Sequence, residues 1–142
     1  MSDDLTQLLA DPEQATVVFL PADALPAVRQ AAEELRLVLC EADLHGCDDT
    51  GAVLHRLSRA LQLPEWFGGN WDALEDCIND LSWLPGEGCL LLLRGIREWM
   101  QRDADGVQTL LDIGREAALR WSESGVPFWM IVERPAGIDA PE

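Results

Sequence analysis

The densest chemistry in this 142-residue chain lies between Asn70 and Leu81, N-W-D-A-L-E-D-C-I-N-D-L. At helical spacing, Trp71, Leu74, Cys77, Ile78 and Leu81 form an apolar stripe. The opposite face then carries Asp72, Glu75, Asp76, Asn79 and Asp80. Four carboxylates on one side of a short helix can be a solvated face, a divalent-cation site, or a concentration of negative charge for a cationic partner. Solvated faces normally mix signs, because opposite charges at i,i+4 help and like charges there cost a few tenths of a kcal/mol. Here Asp72–Asp76 and Asp76–Asp80 are both like-charge pairs. Asp is also a poor helix former, and only Asp72 sits where the helix N-terminus favours a carboxylate. From Ala60 to Leu93 there are six acids and no base. A helix that carries these costs together points to a use for negative charge, with plain solvation as the competing explanation.

A metal-dependent hydrolase would need more than these acids. The helix has no evident His partner, and the chain contains only His45 and His55. Cys40, His45 and Cys47 lack the C-x-x-C spacing and the second ligand pair of a zinc site. There is no G-x-S-x-G and no P-loop; Gly68-Gly69 and Gly86-x-Gly88 suit turns. No catalytic residue, metal or cofactor is expected, and a carboxylate–metal hydrolase is kept only as the enzymatic alternative. Trp66 and Phe67 stand just before the acidic helix in a glycine-containing loop. On residue type alone Trp66 fits a core position or an interface anchor equally, since Trp is enriched in binding hot spots.

The whole chain repeats the sign of that helix. Twenty-six Asp and Glu face ten bases, all of them Arg, for a net charge of -16. Such a chain repels nucleic acid and anionic membrane surfaces and attracts cationic partners, besides keeping itself soluble. The acidic start and the lack of a long apolar run predict neither an export signal nor a membrane span. Cys40, Cys47, Cys77 and Cys89 are too sparse for a secreted disulfide scaffold. They are expected to be reduced thiols in a cytoplasmic protein.

The elements that must position the acidic helix can be read in order. Leu5, Leu8 and Leu9 mark a short helix with Ser2 or Asp3 as cap. Thr16–Leu20 is a β-branched strand. Leu25, Val28, Ala32 and Leu35 fall at helical spacing, with Pro26 tolerated in the first turn. Arg36–Asp43 reads as a second strand, and Asp48 or Asp49 caps a helix carrying Val53, Leu54, Leu57 and Leu61. Asn70 is placed to cap the acidic helix. Cys89–Leu93 is a buried strand, a helix runs from about Asp105 to Glu123 with Gly125 ending it, and Phe128–Val132 is the last strand. Strands alternating with helices predict a mostly parallel sheet with helices packed on it.

The run Leu63-Pro64-Glu65-Trp66-Phe67-Gly68-Gly69-Asn70-Trp71-Asp72-Ala73-Leu74-Glu75-Asp76-Cys77 resembles the signature of the barstar family, small intracellular ribonuclease inhibitors. That signature is LPE, two aromatics, a G-x-N turn and an L/W-D-A-L-x-D-C helix; a looser similarity runs from about Leu35 to Val132. The resemblance implies an α/β fold with a three-stranded parallel sheet flanked by helices. Residues 1–34 would be an added N-terminal β–α element packed on that core, 35–134 the barstar-like domain, and 135–142 a flexible tail. It further implies a protein that is a monomer when free. Its partner would be a cationic ribonuclease, whose active site is blocked by carboxylates standing where RNA phosphates would. The family's loop aromatic and signature aspartates correspond to Trp66, Asp72 and Asp76. Its late-helix glutamate corresponds to Glu116, or to the position of Arg120 if the longer helix before Gly125 shifts the match. Glu75 and Asp80 join this set as members of the same acidic face. The chain departs from the family at Glu75, where the family has an aromatic, and at Asp80 and Leu81, where it has a small residue and an aromatic. An immunity or antitoxin protein for a different toxin is the alternative within the same fold.

Overall fold

The computed structural model describes residues 2–63, 69–80 and 87–135. Helix α1 (Ser2–Ala10) and strand β1 (Val17–Leu20) lead through a short 3-10 turn at Ala22–Ala24 into α2 (Leu25–Glu34). Strand β2 (Val38–Asp43), α3 (Thr50–Ala60) and α4 (Trp71–Asp80) follow. The chain closes with β3 (Cys89–Arg94), α5 (Arg97–Arg102), α6 (Ala104–Glu123) and β4 (Phe128–Glu133).

The sheet is wholly parallel in the order β1-β4-β3-β2. Among the described residues it has four strands, not the expected three. The N-terminal β element does not merely lie on a three-stranded core; Val17 pairs opposite Met130 along the free edge of β4. The physical reason is the edge itself. An unpaired β4 would leave a row of backbone N–H and C=O groups open, and the short VVFL segment satisfies them. β3 lies between β2 and β4, and Cys89 to Leu93 are all buried. That explains why CLLLL lacks alternation, since a central parallel strand is covered on both faces.

Helices cover both faces. On one, α1 packs against α2, and the Trp129 indole donates to the Leu9 carbonyl at 2.9 Å. On the other, α6 crosses β4 and β1 at Gly114. A Cβ there would sit 2.7 Å from Met130 Cε and 2.9 Å from Val17 Cγ2, so the missing side chain is what lets helix and sheet meet. α5 is an element the periodicity did not reveal. It buries Trp99, whose ring lies 6.4 Å from that of Trp71 in α4. Asp103 then starts α6. Its side chain accepts from Gly106 N at 3.0 Å and from the Thr50 hydroxyl at 2.6 Å, tying the start of α6 to the start of α3. Those two donors hold its carboxyl below the usual range. All four cysteines are free and buried. Among the described residues, no helix is long and apolar enough to cross a membrane.

Candidate functional site

The acidic helix forms where its residues dictate. The Asn70 side chain accepts from Ala73 N at 2.8 Å, supplying one of the donors' partners that a helix start lacks. Leu74, Cys77 and Ile78 are fully buried, so the stripe turns inward and the acids turn out. Asp72, Asp76 and Asp80 are exposed, one turn apart, and none of them makes an ion pair among the described residues. Their field reaches inward. Burial pushes the Cys77 thiol up, and the charges of Asp76 and Asp80 push it further.

α6 lies beside α4. The Trp121 indole donates to the Ile78 carbonyl, in the last described turn of α4, at 3.1 Å. Trp121 is itself held by ring contact with Phe128 of β4, at 5.5 Å. This clamp sets the two helices side by side and brings Glu116 against Glu75. The Glu75 carboxyl is held above its ordinary range, first by its hydrogen bond to Glu116, then by desolvation and by the Glu116 charge; Arg120 offsets part of this. Arg120 lies one turn beyond Glu116 and lines a crevice of about 210 Å³ with Asp80 and Ser124.

Five of the six expected contact residues, Asp72, Glu75, Asp76, Asp80 and Glu116, are thus described on two adjoining helices. Trp66 lies outside the described residues. Glu116 and Arg120, both of α6, each act on the Glu75 carboxyl of α4. The meeting of Glu75 with Glu116 carried no signal in the sequence, because it depends on how two distant helices dock. Among the described residues, no group of three His, Cys, Asp or Glu is placed to hold a metal ion. What the arrangement offers chemically is a rigid array of carboxylates, suited to desolvating against an array of cations.

The barstar family model, described as the barnase inhibitor, matches residues 37–133. No curated protein matches the chain. Among solved structures the chain is similar to the ORC2 protein of Aeropyrum pernix in its ADPNP–ADP complexes. The TM-score is 0.57 at 14% identity, and the match covers 93% of this chain and 39% of that one. At that identity the likeness concerns the α/β fold alone.

Proposed function

The chain belongs to the barstar family, and on that premise we propose that it binds and blocks the active site of a cationic ribonuclease, with carboxylates of α4 and α6 occupying phosphate positions. The observation that carries this is the joint face of α4 and Glu116, where exposed aspartates stand one turn apart without ion pairs among the described residues. Left unpaired, those charges keep their full attraction for a partner. A ribonuclease site that gathers Arg, Lys and His around phosphate is complementary to them. Carboxylates on a helix offer it no bond to cut. In this role Asp72 and Asp76 are the central contacts, Glu75, Asp80 and Glu116 their flanks, and Trp66 of the signature run an apolar anchor. The protein would act as a non-enzymatic inhibitor, monomeric when free, in the cytoplasm where its thiols stay reduced.

Glu75, where the family has an aromatic, favours a second reading in which the partner is a different cationic toxin. Titration of the purified chain into a barnase-type ribonuclease assay separates the two. Stoichiometric inhibition is expected. The association rate should fall steeply with salt, because steering by a chain of net charge -16 is screened over a Debye length of ~10 Å at 0.1 M. No inhibition at molar excess would reject the ribonuclease assignment.

A further inference from the structure

Away from the acidic face, a crevice of about 320 Å³ opens at the carboxyl end of the sheet. Residues just beyond all four strands line it: Ala22 after β1, His45 after β2, Ile96 and Glu98 after β3, and Glu133 and Arg134 at the end of β4. Its position follows from the connections. β1 leads to α2 on the face that α1 covers, whereas β3 leads to α5 and α6, and α6 covers the opposite face. β4 lies between β1 and β3, so the connections leaving its two neighbours part to opposite faces. A parallel sheet leaves a cleft at its carboxyl ends where this happens, and such clefts are where open α/β sheets take ligands. The volume is at the lower end of the range for small-molecule sites.

The two carboxylates in this cleft are held by backbone amides. Glu133 accepts from Gly95 N at 3.2 Å, and Glu98 accepts from Gly46 N at 3.3 Å. His45 is held through both its backbone N and its Nδ1 by the Asp43 carboxylate. Gly95 has φ +73° and lies flat against the imidazole; any Cβ there would run into the His45 ring. Arg134 is exposed and anchored through its backbone N, which donates to the Leu20 carbonyl at 2.7 Å. A second guanidinium, that of Arg97, also borders the cleft.

We infer that this cleft binds a free α-amino acid with an apolar side chain. Glu98 and Glu133 receive its ammonium group, Arg134 its carboxylate, and Ile96 and Ala22 its side chain. Both signs of charge are needed in the ligand. A phosphate or other simple anion would be driven against two fixed carboxylates, and a purely apolar ligand would desolvate charged groups with nothing in return. The inference is independent of ribonuclease inhibition, since the cleft shares no residue with the acidic face.

The test is a heteronuclear NMR titration of the full chain with each proteinogenic amino acid in turn. At least one apolar amino acid should shift the amides of Gly46, Gly95 and Arg134 saturably, with a Kd of about 1 mM or tighter. Its carboxamide and N-acetyl derivatives should each bind about tenfold more weakly or worse, since each loses a charge-assisted contact. Arg134→Ala should weaken binding by about the same factor while its spectrum keeps the parent dispersion. Ala22→Phe, on an exposed turn, should abolish binding by filling the cleft. Absence of saturable shifts with every amino acid, equal binding of the derivatives, or stronger shifts of the same amides by inorganic phosphate would each overturn the assignment.

Discussion

Replacing Asp76 with Ala should move stability and inhibition in opposite directions. Asp76 is exposed in the middle of α4 and makes no ion pair among the described residues, so truncation breaks none of these. It relieves two like-charge i,i+4 neighbours, Asp72 and Asp80, at ~0.2–0.5 kcal/mol each. It also gains roughly 0.5 kcal/mol of helix propensity. The variant should be more stable by about 1 kcal/mol, which for a chain of this size raises Tm by roughly 2–5 °C. Asp72→Ala makes the internal comparison. Asp72 lies in the first turn, where the helix dipole is worth ~0.3–1 kcal/mol to a carboxylate. Losing that offsets the relief of its single like-charge neighbour, so its stability should be unchanged or slightly lower. Both variants should nevertheless inhibit poorly. Leaving partner cations buried and unpaired costs roughly 2–5 kcal/mol, or about 30-fold to several thousandfold in the inhibition constant. That scale is known from the barnase–barstar complex rather than worked out from this chain. The assay is a urea melt and an inhibition constant for each variant, with the exposed Glu13→Ala as control. Undiminished inhibition by Asp76→Ala would refute phosphate mimicry by α4. A loss of stability above about 1 kcal/mol would refute the claim that Asp76 is strained by its own neighbours.

Three further outcomes are expected. Because Glu75 has a raised value when folded, the folded chain holds this proton more tightly than the unfolded chain. That stabilisation is complete below the unfolded glutamate range and is lost as pH rises through the raised folded value. Glu75→Gln should therefore be the more stable protein at neutral pH, by less than ~1 kcal/mol for so exposed a pair, with the gap closing in acid; melts that stay parallel across pH would contradict this. Trp121→Phe removes the donor to the Ile78 carbonyl and should cost about 1 kcal/mol in a denaturant melt, while weakening inhibition without touching an acid. Gly114→Val should press α6 off Met130 and Val17, for a net loss of roughly 1–3 kcal/mol in Tm-derived stability; an unchanged melt would mean the helix lifts freely.

Much of this protein is decided within a few residues of chain. Asn70 caps α4 because its side chain reaches an amide three positions on, and that rule needs no tertiary partner. The inward stripe of Leu74, Cys77 and Ile78, the unbroken burial of Cys89–Leu93, and the long helix ending before Gly125 follow from periodicity in the same way. The signature run carried family membership. α5 escaped notice because one turn and a half around Trp99 is too short to set a period. The fourth strand of the sheet escaped for a different reason. VVFL reads as a strand anywhere, and whether it packs beside the core or pairs along β4 is decided by which edge remains open after the rest has folded. Glu75 meeting Glu116, Trp121 clamping Ile78, and four strand ends closing a cleft around His45 and Gly95 likewise required the assembled sheet. Helix caps and hydrophobic periods are forces between near neighbours in sequence, so the chain displays them directly. The electrostatic field of a face and the shape of a cleft are sums over segments that only the burial of a common core brings together.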